Sequence, residues 1–113
     1  MTFDFDFPAF IRDLPGIDLP VPGARGWTLQ GPTQQAVFLE FEETVEIPDH
    51  SHGDQWELPL AGRVELRSEG SLRRYGPGEI FFVPAGRVHG ATVSAGYKTV
   101  VFFDKPDRYP AKA

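Results

Sequence analysis

The sequence predicts an all-β fold, a sandwich or a barrel, and three observations support this. From Trp27 onward, short runs of alternating apolar and polar residues recur about every 8–12 residues. Turn-forming residues separate these runs, and the chain contains 12 Gly and 11 Pro. No stretch of ten or more residues repeats its apolar positions with a helical period. A sheet that closes on itself or pairs with a second sheet protects its edges.

The predicted strands follow one another along the chain. Val37, Leu39 and Phe41 alternate with outward-facing residues, and the pattern continues up to Pro48. The pair Glu69-Gly70 is predicted to be a two-residue hairpin turn. Further strands are predicted over residues 56–60, 63–67, 72–75, 80–83, 88–93 and 97–103. Pro59 falls inside one of them and indicates a sheet edge or a bulge, because proline cannot donate to a ladder.

The first 25 residues differ from the rest and are predicted to form an N-terminal arm, with the β domain over residues 26–113. A short helical turn is predicted to follow Pro8. Prolines and glycines between positions 15 and 23 then interrupt any regular element. The arm is too apolar for a free tail, so we expect it to pack on the barrel or on a partner subunit through Phe3, Phe5, Phe7, Phe10 and Ile11.

Composition excludes several classes of function. The 113 residues suit one domain with its own core. The formal net charge of −5 argues against nucleic acid and against an anionic membrane surface. The absence of Cys excludes disulfides, thiolate ligands and cysteine nucleophiles. The N-terminus lacks the form of a signal peptide, and no apolar run approaches the ~20 residues of a membrane span. We therefore expect a cytoplasmic protein.

The chain has three histidines, and their placement predicts a metal site. His50 and His52 form a His-x-His pair, and His89 follows the turn Pro84-Ala85-Gly86. Imidazole is the commonest protein ligand for metals. Two imidazoles one residue apart on a strand point to the same side. The three histidines are therefore predicted to bind one metal ion.

Two segments around these histidines resemble the two motifs of the cupin superfamily. The second family motif, which includes Gly, Pro, Gly and His at fixed spacing, matches from Gly78 through His89 without a gap. The first motif matches at His50, His52 and Gly62. The wider pattern His-Ser-His-x-x-Gln-Trp is similar to that of a group of small single-domain cupins.

The resemblance also has departures, which fall at turn and packing positions. Thr44 stands where the first motif begins with Gly, and Val93 stands where the second motif ends with Asn. Because neither position supplies a histidine ligand, the predicted site does not depend on them.

The resemblance implies a single cupin jelly-roll β-barrel with a divalent first-row metal ion (Fe, Ni, Zn or Mn) near its mouth. Many members of the family form homodimers, so the resemblance also implies a homodimer. Family chemistry includes dioxygenase, isomerase, decarboxylase and cyclase reactions on small molecules. We expect a metal-dependent enzyme that acts on a small polar or anionic molecule. The alternative is a cupin that binds or senses a small molecule without turnover.

The family places one more ligand, a Glu, between His52 and Gly62, but this chain is one residue short there. Glu57 has the family spacing from His52, whereas Gln55 has the family spacing to Gly62. The loop at Gly53 can shorten more easily than a strand can change register, which favours Gln55 as the ligand over Glu57. Glu57 would then lie on the same inward face and act as a general base. A shell of three imidazoles and one amide oxygen is neutral, and we expect it to bind anionic ligands strongly.

Overall fold

The computed structural model describes residues 5–112 and contains two antiparallel β-sheets that face each other. One sheet has five strands in the order β1-β2-β9-β4-β7, and the other has four in the order β3-β8-β5-β6. The elements are α1 (Ala9–Arg12), β1 (Ala24–Gln30), β2 (Gln35–Phe41), β3 (Val45–His50), β4 (Gln55–Ala61), β5 (Val64–Ser68), β6 (Ser71–Tyr75), β7 (Phe81–Val83), β8 (His89–Val93) and β9 (Lys98–Phe103). The predicted all-β jelly roll is confirmed.

The core lies between the two sheets and follows the predicted alternation. Val37, Leu39 and Phe41 of β2 are buried, with 0%, 8% and 5% of their surface exposed. From the four-stranded sheet, Val64 and Val93 meet them in the same apolar cluster. These strands thus give one side to the core, as expected for two packed sheets.

The predicted irregularities in the strands are also confirmed. Glu69 and Gly70 form the hairpin turn between β5 and β6, with φ values of 51° and 76°. The ladder between β4 and β9 shifts register between Pro59 and Ala61, which is a bulge. β7 pairs with β4 only over Gln55 to Glu57, so Pro59 needs no donor on that side.

The N-terminal segment crosses the outer face of the five-stranded sheet. Phe7 is 4% exposed, and its ring meets Trp27 and Phe38 edge-on at centroid distances of 6.1 and 5.7 Å. Arg12 reaches over Trp27 and pairs with Glu40 at 3.1 Å, which explains why the carboxylate of Glu40 is buried. Phe3, which was predicted to belong to this apolar segment, lies outside the described residues.

The C-terminal segment returns to the same end of the sheet. Ala111 forms a bridge with Ile17, and the Lys112 amide donates to the Gly16 carbonyl at 2.8 Å. Within residues 5–112, no helix is long and apolar enough to cross a membrane.

Candidate metal centre

The three histidines converge at one end of the space between the sheets. Their ligand atoms all lie within 4.8 Å of one another. Ring centroids are 4.4 Å apart for His50 and His89, 5.1 Å for His50 and His52, and 4.8 Å for His52 and His89. His50 ends β3, His89 begins β8, and His52 stands in the loop that leads to β4. The predicted histidine cluster is therefore present.

A bulge in β3 brings His50 to the inner face. Ile47 pairs with Ala91 and lines the interior, and His50 pairs with His89. Three steps on β3 therefore match two steps on β8, so one extra residue is inserted after Ile47. In a regular strand, the side chain three positions after Ile47 would point outward. The bulge corrects its direction, and Pro48 at this place gives up no ladder donor.

The turn in the second motif holds the loop of the first motif through two hydrogen bonds. The Gly86 amide donates to the His52 carbonyl at 2.9 Å, and the Ala85 amide donates to the Asp54 carboxylate at 2.7 Å. Gly86 has a φ of 79°, which a glycine adopts without strain. The turn after β7 therefore fixes the backbone at His52.

The same nitrogen of each imidazole is occupied by a backbone carbonyl. Nδ1 of His50 contacts the Pro48 carbonyl at 2.9 Å, and Nδ1 of His52 contacts the Gly53 carbonyl at 2.8 Å. Nδ1 of His89 contacts the carbonyl two residues before it at 2.9 Å. Because a carbonyl only accepts, each Nδ1 carries the proton and donates it. Each ring is left with a free lone pair on Nε2, the form that binds a metal.

The surroundings keep the rings of His52 and His89 uncharged. Burial lowers the pKa of His52 to about 4, although the carbonyl of Gly53 acts in the opposite direction. Burial also lowers the pKa of His89. A neutral imidazole has a lone pair to offer, so these two rings are ready to bind a metal at neutral pH.

The donor set fits a divalent ion. Metal–imidazole bonds are about 2.0–2.1 Å long, and neighbouring ligands then lie roughly 3–3.5 Å apart. Nitrogens within 4.8 Å of one another reach that spacing by small side-chain rotations. Within residues 5–112 the cluster consists of three imidazoles and includes no carboxylate.

Gln55 and Glu57 lie on the same inner face, and a hydrogen bond links them. Both line the cavity that the three histidines also line. Nε2 of Gln55 donates to Oε1 of Glu57 at 2.8 Å. A carboxylate is an acceptor, so this bond sets which end of the Gln55 amide points towards Glu57. The carbonyl oxygen is then the free end of the amide.

Both side-chain oxygens of Glu57 accept hydrogen bonds. It is 6% exposed, and its Oε2 accepts hydrogen bonds from the Tyr97 hydroxyl and from Thr99, the latter at 3.0 Å. Burial raises the pKa of Glu57, and the bonds from Tyr97, Thr99 and Gln55 oppose that rise. Tyr97 and Thr99 are site residues that the sequence did not reveal. Their only signal in the sequence was an inward position in the strand predicted over residues 97–103.

Gly62 explains how Tyr97 reaches this position. Gly62 has a φ of 75°, and a Cβ at this residue would stand 2.7 Å from the Tyr97 Cα. The last glycine of the first motif therefore allows the chain before β9 to approach closely.

The cavity behind the histidines is small and mostly apolar. It holds about 70 Å³, and its walls include Phe81 and Phe103. Their neighbours Phe82 and Phe102 point outward, with 53% and 45% of their surface exposed. The enclosed space accommodates a few waters or a molecule of few heavy atoms.

Comparison with solved structures gives the same architecture. KdgF from Halomonas sp. is 26% identical, with 80% of this chain and 87% of that chain covered and a TM-score of 0.69. An RmlC-like cupin from Shewanella frigidimarina is 24% identical, with 95% and 94% covered and a TM-score of 0.74. The fold is that of a cupin.

A third similar structure is that of a metalloprotein. Oxalate decarboxylase from Bacillus subtilis, which has Mn(II) centres, is 15% identical, with 86% of this chain and 29% of that chain covered and a TM-score of 0.70. No protein-family model and no curated protein matches the sequence. The cupin fold and the histidine cluster together support a metal-binding cupin with a divalent metal site.

Proposed function

We propose that this cupin is a metal-dependent enzyme that acts on a small polar or anionic molecule. The observation that supports it is the convergence of three imidazole rings, each with its Nδ1 occupied by a backbone carbonyl, beside a small cavity. A structural role for three histidines does not require their free nitrogens to face one another.

We propose His50, His52, His89 and Gln55 as the metal ligands. The hydrogen bond to Glu57 orients the Gln55 amide. The carbonyl oxygen of Gln55 is then the atom available to bind the metal. When bound, a divalent ion at this centre supplies a positive charge that polarises and holds an oxygen ligand. Because all four proposed ligands are neutral, none of that charge is cancelled by the ligands themselves.

Glu57 has two proposed roles. Its hydrogen bond to Gln55 makes it a positioning residue for the ligand amide, in the way that outer partners orient metal ligands. Its place in the cavity wall also supports the predicted role as a general base. The Tyr97 and Thr99 hydroxyls keep the carboxylate in one orientation for either role.

The wider assignment is also a proposal. The His-Ser-His-x-x-Gln-Trp pattern supports a place among the small single-domain cupins. We further propose a cytoplasmic homodimer, which is supported by exposed aromatic side chains on the outer face of the five-stranded sheet.

Metal analysis of untagged protein, purified without chelators, tests the proposal. We expect about one divalent first-row ion per chain, and His89→Ala should lose it. Asp49→Asn is the matched control, because Asp49 is an exposed carboxylate next to His50, and this variant should keep its metal. Iron would favour oxygenase chemistry. Metal-free wild-type protein that also fails to take up added Mn(II), Zn(II) or Ni(II) would contradict the proposal.

Turnover separates the enzyme from the sensing alternative. An enzyme should convert a small acid to a product only when metal is present. A sensing cupin should retain one metabolite through purification and release it unchanged on denaturation.

A further inference from the structure

Arg108 is a half-buried cation that pairs with no carboxylate among the described residues 5–112. Its Nε is inaccessible to solvent and forms no hydrogen bond with any residue in the range 5–112. The other half-buried basic side chains in that range, Arg12, Arg67 and Lys98, all pair with carboxylates. A buried donor without an acceptor costs free energy, so its retention calls for an explanation.

The segment that carries Arg108 is firmly held. The buried Gln35 side chain donates to the Tyr109 carbonyl at 2.6 Å and accepts from the Tyr109 amide at 3.1 Å. Gln30 donates to the Pro106 carbonyl on the other side of Arg108. A side chain between two such anchors is presented in a defined direction.

That direction places the charge next to the metal centre. The guanidinium lies over the ring of Tyr109 at 4.4 Å and near the ring of Phe103 at 6.0 Å, and both rings also line the histidine cavity. Arg108 lines a cleft of about 160 Å³ that shares His52 and Phe103 with that cavity as a common wall.

The other charges in the cleft leave Arg108 available. Asp104, Lys105 and Asp107 also line the cleft, and all three are exposed. Neither aspartate forms an ion pair with Arg108 among the described residues 5–112. The two acidic and two basic side chains balance, so a divalent ion at the histidines would make the region positive overall.

We propose that Arg108 binds the carboxylate of a small two-headed acid, whose second oxygen group binds at the metal centre. This inference rests on the proposed function and narrows its substrate to acids with two oxygen-bearing ends, such as dicarboxylates or 2-oxo acids. Arginine suits carboxylate binding because its planar guanidinium can donate two parallel hydrogen bonds to the two carboxylate oxygens. The rings of Tyr109 and Phe103, which meet edge-on, lie against the guanidinium and hold it in place.

Calorimetric titration of the Co(II)-loaded protein tests the inference with malonate as the probe. Malonamate, which replaces one carboxylate by an amide, and acetate are the comparison ligands. We expect Arg108→Met to weaken malonate binding about 10- to 100-fold, since it removes charge-assisted hydrogen bonds. Acetate has only one carboxylate, so its affinity should differ less than about threefold between wild type and Arg108→Met.

Lys105→Met is the matched control. It removes the same charge from the same cleft, but from an exposed side chain, and should change malonate binding less than about threefold. Arg108→Lys keeps the charge but lacks the two parallel donors of the guanidinium. Its malonate affinity should fall between those of wild type and Arg108→Met. This second variant also guards against misfolding of the first.

Several results would overturn the inference. Equal malonate affinity in wild type and both Arg108 variants, with Co(II) retained, would refute the role of Arg108 alone. Equal affinity of the wild type for malonate and malonamate would do the same. Failure of the wild type to bind Co(II) would overturn the metal site itself and, with it, the inference.

Discussion

If Gln55 is a ligand, as proposed, the residue at position 55 determines the charge of the ligand shell. With Gln55 the four proposed ligands are neutral, and a bound divalent ion keeps its full charge. We expect Gln55→Glu to retain metal, since a carboxylate is also a good ligand, but to weaken anion binding. Calorimetric titration of the metal-loaded variant with malonate, beside metal analysis, measures both. Loss of the metal, or an unchanged anion affinity, would show that the charge argument is wrong.

Glu57 offers a second test at the scale of one residue. If it positions the Gln55 amide, Glu57→Ala should reduce metal affinity about 10- to 100-fold, as loss of an outer partner typically does. Glu57→Gln keeps an oxygen that can accept from Gln55 and should retain metal within a few-fold. A competition assay with a metal chelator gives both affinities, and thermal melts report folding. Equal affinities in the two variants would contradict the positioning role.

The general-base role of Glu57 has a different signature. Metal-loaded Glu57→Gln would then keep its ion yet lose turnover, because an amide cannot accept a proton at neutral pH. The two roles are therefore separated by the same pair of variants.

At the scale of elements, the β5–β6 hairpin contains a residue that is poorly suited to its place. Glu69 has a φ of 51°, a left-handed conformation that costs most side chains about 1–2 kcal/mol and that Asn tolerates. Its ion pair with Arg87 joins two exposed side chains and contributes little. We expect Glu69→Asn to raise the free energy of unfolding by about 0.5 kcal/mol in urea titrations.

Glu69→Ala is the control for that change. It loses the same pair with Arg87 but keeps the strained backbone, so it should be no more stable than wild type. If Glu69→Asn is not more stable than Glu69→Ala, strain in the turn is not the cause.

The strands were predictable because the information about them is local. Alternation marks β2, and Pro and Gly mark the turns around it. The direction of His50 was right for an incomplete reason, since a bulge after Ile47 turns it inward, and His52 lies in the loop after β3 rather than on the strand assumed for the His-x-His pair. A bulge depends on how two strands pair, which a single segment does not encode.

Contacts between distant segments were the part that could not be predicted. Glu40 has the sequence position of an outward-facing residue, yet Arg12 and the N-terminal segment bury it. The link from Gln55 to Glu57, and from there to Tyr97 and Thr99, joins β4 to the far end of the chain. Residue types alone left Gln55 and Glu57 as competitors, whereas the hydrogen bond gives them complementary roles.

At the scale of the whole molecule, one half of the outer sheet face is covered and the other half is apolar and open. The N-terminal segment covers the half around Trp27 and Phe38. On the open half, Phe102 of β9, Trp56 of β4 and Phe82 of β7 stand directly opposite one another across the strands. They are 45%, 36% and 53% exposed.

This open row supports the proposed homodimer, with a second copy of the chain as its occupant. An aromatic side chain has about 200 Å² of surface, so the three rings leave roughly 250–300 Å² exposed. That is about a third of the ~800 Å² that each partner gives to a typical stable interface. A flat row is self-complementary under a two-fold axis, since each ring can meet its counterpart.

Light scattering at micromolar concentration tests the dimer. Wild-type protein should have twice the 12.6 kDa mass of the chain. Phe102→Lys should shift it to the monomer, because a charge would then lie in the apolar centre of the interface. Leu72→Lys is the control, since Leu72 is 52% exposed on β6 of the four-stranded sheet and not on the face that carries the open row, and this variant should stay dimeric. A monomeric wild type, or a dimer that both substitutions leave intact, would place the open row outside any interface.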